Sequence, residues 1–166
     1  MVRAMPATEA DLMTRFEALG IATTTVRHPA VFTVDESKAL RGDLPGGHTK
    51  NLFLKDKKGN LWLVVALEGR PIDTKDLRHR IGAAPLSFGR PDLLLEILGI
   101  EPGSVTPFAV INDTESRVTV VLDDGLMAFD QLNFHPLTNT ATTVISPADL
   151  VSFLTDTGHP PRIAAL

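Results

Sequence analysis

Cysteine is absent from the 166-residue chain. This rules out a disulfide framework, a thiolate metal site and a cysteine nucleophile, and it fits a reducing, cytoplasmic setting. No run approaches the ~18 consecutive apolar residues of a membrane span. The first residues do not lead from a basic segment into an apolar one, so no signal peptide is expected. An excess of basic charge is also missing: 16 Lys and Arg stand against 20 Asp and Glu, a net charge of −4. A non-specific DNA binder normally carries the opposite balance, so DNA is not the expected partner, and no membrane is expected either. A local patch that holds a few phosphates stays open. Lys55, Lys57, Lys58, Lys75, Arg78, Arg80 and Arg90 are enough to build one, although the same residues also read as ordinary solvated charge.

The familiar catalytic signatures are missing as well. Gly46-Gly47-His48-Thr49-Lys50 superficially resembles a phosphate loop, but it lacks the G-x-x-x-x-G-K-[ST] spacing, and its lysine opens a strand where a P-loop lysine opens a helix. His28, His48, His79, His135 and His159 include no pair at the i, i+4 spacing of a zinc helix. No G-x-S-x-G elbow occurs. Neither a metal nor any other cofactor is expected. A hydrolase that works by positioning, backbone N–H donors and water remains compatible with the chain.

What is present is a globular composition, 43% hydrophobic and 22% charged. With no linker and no internal repeat, residues 1–166 read as one domain. Thr8 with Asp11 forms a capping box that opens a helix with Leu12, Phe16 and Leu19 on one face. Ile21 to Val26 reads as a strand, and Thr33 with Glu36 opens a second short helix running to about Leu40. Thr49 to Lys55 and Leu61 to Leu67 read as a hairpin about the Asp56–Asn60 turn. The second arm is apolar throughout, as in a central strand covered on both faces. Helices are expected after Asp73 or Thr74 and from Pro91 to Leu98. Ile100 to Thr106 reads as a loop, Arg117 to Leu122 and Thr140 to Ile145 as strands, and Leu126 to Leu132 as a short helix or irregular segment. Ser146-Pro147-Ala148-Asp149 begins a last helix. Interspersed helices and strands with a hairpin imply an α/β chain of the α+β type: a mixed, largely antiparallel central sheet flanked by helices.

The stretch Gly46 to Leu54 carries the most chemistry, with His48, Thr49, Lys50 and Asn51 at the mouth of a buried strand. Lys50 there reads equally as a holder of phosphate or ester oxygen by charge and as an edge lysine that discourages aggregation.

The run His48-Thr49-Lys50-Asn51-Leu52-Phe53-Leu54, the hairpin after it and Leu61-Trp62-Leu63-Val64 resemble the YbaK/prolyl-tRNA synthetase-associated domain family. Gly103-Ser104-Val105-Thr106-Pro107 matches that family's G-x-x-x-P loop. The block Asp130 to Thr143, with Asn133-Phe134-His135-Pro136, is similar to its freestanding alanine-editing branch, known as ProXp-ala or PrdX. The resemblance spans nearly the whole chain and implies a YbaK-like fold. It also implies a trans-editing hydrolase that removes alanine from mischarged Ala-tRNA(Pro), the second sieve for an amino acid too small to be excluded by the first. It implies the acceptor end of tRNA(Pro) as partner, with prolyl-tRNA synthetase beside it. On the same basis Lys50, Gly103 and His135 are the expected catalytic residues, and His48, Thr49, Asn51, Ser104, Val105, Thr106 and Pro107 the expected substrate-binding ones. Lys50 and the Gly103–Pro107 loop are expected to face each other across the site. Two other readings stay open: deacylation of Cys-tRNA(Pro) or another aminoacyl-tRNA, and a non-catalytic nucleic-acid-binding module.

Overall fold

The apolar run Leu61–Leu67 forms strand β3, and its residues from Leu61 to Ala66 are buried. A computed structural model describes residues 5–30 and 46–166, and it places β3 between two neighbours. Strand β2 (Gly47–Asp56) pairs with it antiparallel through the Asp56–Asn60 turn, and β5 (Val118–Asp123) pairs with it parallel on the other side. The remaining strands are β1 (Thr24–Arg27), β4 (Leu86–Phe88), β6 (Leu132–Phe134), β7 (Ala141–Ile145) and β8 (Arg162–Ala164). They complete an eight-stranded sheet in the order β1-β7-β6-β2-β3-β5-β8, with β4 also paired to β2. The β1–β7, β6–β7, β2–β3 and β2–β4 pairs are antiparallel; β2–β6, β3–β5 and β5–β8 are parallel. This is the mixed, mostly antiparallel sheet expected.

Side chains alternate between the two faces of a strand, so β2 and β3 feed two cores. Phe53, Leu63 and Val65 join the larger one. There they meet Leu12 and Phe16 of α1 (Glu9–Ala18), Leu94, Ile97 and Leu98 of α3 (Pro91–Leu98), and Leu150 and Phe153 of α4 (Pro147–Asp156). Phe16, Phe108 and Phe153 pack edge-on or tilted at its centre, with ring centroids 5.2–5.6 Å apart. Leu54, Trp62 and Val64 join the smaller core under Leu77 and Ile81 of α2 (Thr74–Ile81).

The helix ends follow their capping chemistry. Thr8 and Asp11 exchange the two bonds of a capping box, and Ser146 caps α4 ahead of Pro147. Asp73, of the two candidates, caps α2. The structure also shifts some boundaries. β1 begins at Thr24 because Ile21 is still part of the turn that closes α1, its N–H on Phe16 O at 2.9 Å and its side chain buried. β2 begins at Gly47. The 126–132 stretch divides into a 3-10 turn, Asp124–Ala128, and the start of β6. Pro102–Ser104 is a 3-10 turn within the stretch Ile100 to Thr106 that reads as loop, and Pro107–Asn112 forms another 3-10 turn after it. The Thr33–Leu40 helix lies outside the described residues.

Candidate active site

β2 has β3 along one edge from Thr49 to Lys55. Along its other edge β6 pairs only with Gly47 and His48, and β4 only with Leu54, Lys55 and Asp56. Among the described residues no strand lies beside Thr49 to Phe53 there, so the sheet has a break. Prolines and a glycine account for its two rims. β6 runs into Pro136, which has no N–H to continue a ladder, and β4 runs into Gly89 and then Pro91, the first residue of α3. At the lower rim Gly89 N–H donates to Phe53 O at 2.8 Å. At the upper rim Gly47 N–H donates to Gln131 O at 2.8 Å, Thr49 Oγ1 to Asn133 O at 2.9 Å, and Asn133 Nδ2 to Gly47 O at 3.2 Å. Gly46 sits at φ +92°, and a Cβ there would lie 2.7 Å from Gln131 O, so this rim requires glycine.

The alternation that separates Phe53 from Leu52 and Leu54 also separates Asn51 from Lys50. Thr49 and Asn51 share the parity of Phe53 and the larger core; His48 and Lys50 share that of Leu52 and Leu54. Asn51 Oδ1 is buried and accepts no hydrogen bond. Leaving such an acceptor unpaired costs about 1–3 kcal/mol, a strain that a ligand donor would relieve. Lys50 Nζ instead donates to the backbone carbonyl of Arg70. The Arg70 guanidinium is paired with Asp123, which is fully buried and also accepts from Leu67 N–H at 3.3 Å and Gly125 N–H at 3.2 Å. This assembly stands beside a cavity of about 620 Å³, lined by Gly46, Gly47, His48, the Leu67–Pro71 segment and the half-exposed Phe129.

His135 follows β6 at the upper rim. Its Nδ1 lies 3.0 Å from Ala141 O. A carbonyl only accepts, so Nδ1 carries the proton and Nε2 presents its lone pair when the ring is neutral. Burial pushes the His135 imidazolium below the ordinary histidine range. The bond to Ala141 opposes this, and the nearby His28 adds to it. His28 lies edge-on at 6.3 Å between ring centroids, held by Pro29 O and Thr142 Oγ1, each at 2.8 Å.

Gly103 and Ser104 are half-buried in the 3-10 turn, which closes through Ser104 N–H to Glu101 O at 2.9 Å. Val105 packs against the larger core. Thr106 is fully buried, with its Oγ1 accepting Phe108 N–H at 3.3 Å, and Pro107 is buried behind it. The Gly103–Pro107 segment therefore rests on the Asn51 face of the sheet. The expectation that Lys50 opposes this loop needs correcting: Asn51 and Thr49 share the loop's face, while Lys50 and His48 start from the opposite face, where Lys50 turns to Arg70. Strand alternation is the cause, since two adjacent residues cannot both point inward. Arg70 and Asp123 were not singled out from the sequence; an aspartate closing an otherwise apolar strand is the one signal that marks them.

A model of the aminoacyl-tRNA editing domain matches residues 28–153. The chain belongs to this editing-domain family. It is 46% identical over 147 residues to a zebrafish (Danio rerio) protein named prolyl-tRNA synthetase associated domain-containing protein 1, covering 87% of this chain and 80% of that one. It is 36% identical over 149 residues to a prolyl-tRNA editing protein ProX from Acetoanaerobium sticklandii, covering 89% and 91%. A solved structure described as a trans-editing enzyme for prolyl tRNA synthetase superposes with a TM-score of 0.71 at 21% identity, over 96% of this chain and 98% of that one; at this identity the likeness bears on the fold.

Proposed function

We propose that the chain is a trans-editing hydrolase that removes alanine from mischarged tRNA(Pro). Membership of the editing-domain family and the name of the ProX relative support the reaction class. The observation that carries the site is Asn51 Oδ1, a buried acceptor without a donor at a break in the sheet. An aminoacyl ester brings a missing donor, its α-ammonium.

With the ammonium on Asn51 Oδ1, the ester carbonyl turns toward backbone N–H groups of the Gly103–Thr106 segment on the same face, which stabilise negative charge on its oxygen. Water adds to the carbonyl carbon and the bond to the ribose oxygen breaks. The water proton passes to that oxygen, leaving alanine and a free tRNA end. His135, neutral and with a bare Nε2, is the group suited to hold the water. Lys50 Nζ, which donates to a backbone carbonyl and enters no ion pair among the described residues, is the donor offered to the phosphate or ribose of the acceptor end. The adjoining cavity takes the terminal nucleoside, and the half-buried Ser104, backed by the buried Thr106 and Pro107, sets the wall met by the amino-acid side chain.

The test is deacylation of Ala-, Cys-, Ser- and Pro-tRNA(Pro) together with Ala-tRNA(Ala). Rapid loss of alanine from tRNA(Pro), with Pro-tRNA(Pro) and Ala-tRNA(Ala) spared, supports the proposal. Preferred loss of cysteine moves the specificity to the larger side chain. Binding without hydrolysis of any of them overturns the enzymatic reading.

A further inference from the structure

The foot of the break continues into a basic edge. Lys55 follows the break on β2, opposite Ser87 of β4, and Phe88 of β4 lies opposite Leu54 with 65% of its surface exposed. The β2–β3 turn then carries Lys57 and Lys58, both exposed. It is fastened to the segment before β4 by Lys57 N–H on Pro85 O at 3.1 Å and by Ala84 N–H on Asp56 Oδ2 at 3.4 Å. Arg78 joins the same corner through its bond to Ala83 O at 3.4 Å.

Two features set this edge apart from ordinary solvated charge. First, the nearby carboxylates are already committed. Asp56 is buried inside the turn, where it accepts from Lys58 N–H, Asn60, Trp62 Nε1 and Ala84 N–H. Asp76 is paired with Arg80 and Asp92 with Arg90. Lys55, Lys57 and Lys58 enter no ion pair among the described residues, and the one carboxylate within their turn, Asp56, is buried, so a chain of net charge −4 shows three exposed lysines against one inward-facing acid. Second, the strip is held by a stapled turn, and the exposed Phe88 ring stands at the same sheet edge, on the face opposite to that of Lys55. Cations and a ring along one edge can hold a flexible nucleic-acid strand that wraps it: phosphates on lysine, a base on the ring.

We infer that this edge, Lys55, Lys57, Lys58 and Phe88 with Arg78 behind them, is the contact surface for the RNA strand that leads away from the ester. Five residues of β2, Leu52 to Asp56, separate Asn51 from Lys57, so the strip opens at Lys55, close to the site, and extends ~20 Å from Asn51. The partner is RNA, bound through its backbone and one unstacked base. The inference rests on the reading of the chain as a hydrolase of aminoacyl-tRNA.

The test measures binding of uncharged tRNA(Pro) by fluorescence anisotropy as salt is raised from about 50 to 200 mM. In parallel, hydrolysis is followed on full-length Ala-tRNA(Pro) and on the alanyl ester of the terminal trinucleotide. In the triple variant Lys55→Glu, Lys57→Glu, Lys58→Glu, binding is expected to weaken at least about tenfold, with a salt slope lower by about two. In Phe88→Ala binding weakens roughly fivefold or more. KM for the full tRNA rises in both, and trinucleotide hydrolysis stays at the wild-type rate. The triple Lys→Gln variant separates loss of charge from added repulsion and is expected to show the same shallower slope. Wild-type affinity and slope in the Gln and Phe88→Ala variants overturn the inference and leave the hydrolase standing. Strip-dependent tRNA binding by a wild-type protein that hydrolyses no ester leaves the surface standing and removes the hydrolase.

Discussion

Lys50 and Asn51 are neighbours in β2, yet they leave the strand toward opposite faces, one to a backbone carbonyl and the other to a buried position with no donor. In the proposed reaction the pair divides the work of the site. Asn51 belongs to the face that carries Val105, and Lys50 to the rim beside Arg70. Lys50→Ala is expected to raise KM for Ala-tRNA(Pro) about tenfold while changing stability by no more than about 0.5 kcal/mol, since only one bond to a carbonyl is lost. Steady-state kinetics with a urea titration check both parts. A fall confined to kcat would place Lys50 at the reacting bond instead.

Asn51→Leu should separate stability from activity. Replacing an unpaired buried amide by an apolar side chain of similar size removes a desolvation cost, so the variant is expected to be more stable by about 1 kcal/mol. It should also lose about 100-fold in kcat, because the substrate is no longer held in register. A variant that is both less stable and fully active would show that Oδ1 serves neither purpose.

His135 gives a pH signature. Its imidazolium lies below the ordinary range, chiefly through burial, so the neutral ring persists at pH values where an exposed histidine is half protonated. The rate of alanine release is expected to fall only below pH 6.5, on an acid limb that His135→Gln abolishes along with most of the rate. A profile unchanged in His135→Gln would exclude the ring from proton transfer.

Two buried carboxylates govern stability away from the site. Burial alone would raise Asp56, but hydrogen bonds from Asn60, Trp62 and Lys58 outweigh it and hold the carboxyl down to about 2, against 3.8 in an unfolded chain. The folded value is the lower one, so this contribution is complete above about pH 4 and is lost as pH falls toward 2. Asp56→Asn should flatten that part of the stability curve measured by denaturant at each pH. Asp113 is likewise held low. Burial opposes the shift, while the bond to His159 at 2.8 Å and the N–H groups of Val118 and Arg117 produce it. His159→Ala leaves that carboxylate buried without its partner and is expected to cost about 3 kcal/mol with KM for tRNA unchanged.

Much of the architecture was legible in the chain because it rests on local signals. The apolar run Leu61–Leu67 marked the central strand, and Thr8, Asp73 and Ser146 marked helix starts through their own side-chain oxygens. β6 and β8 carried no such signal. Three residues are too few to show a period, and Leu132–Phe134 is defined by its neighbours β2 and β7. The same limit applied to the site. His48 to Asn51 stood out as polar residues at a strand mouth, but which of them faces inward depends on which face the larger core covers. The break beside Asn51 depends in turn on where β4 and β6 stop. The seating of Gly103–Pro107 on the Asn51 side follows from Val105 and Phe108 entering the larger core, which no spacing in the sequence discloses.

Gly89 tests the break itself. A Cβ at this position would lie 2.2 Å from the Phe53 ring, so Gly89→Ala must displace either the ring or the lower rim. A cost of about 1–3 kcal/mol is expected in denaturant unfolding, with a loss of kcat, as Phe53 and Asn51 share one face of β2. Full activity with unchanged stability would show that the rim is not held as described.

The most direct measurement is single-turnover release of alanine from Ala-tRNA(Pro), comparing the wild-type protein with Asn51→Ala and with Ala-tRNA(Ala) as the competing substrate. The expected result is rapid release from tRNA(Pro) by the wild type, release about 100-fold slower in the variant at saturating protein, and no acceleration on Ala-tRNA(Ala). Equal rates for the wild type and Asn51→Ala, or no release by the wild type, would contradict an editing site built around the unpaired carbonyl of Asn51.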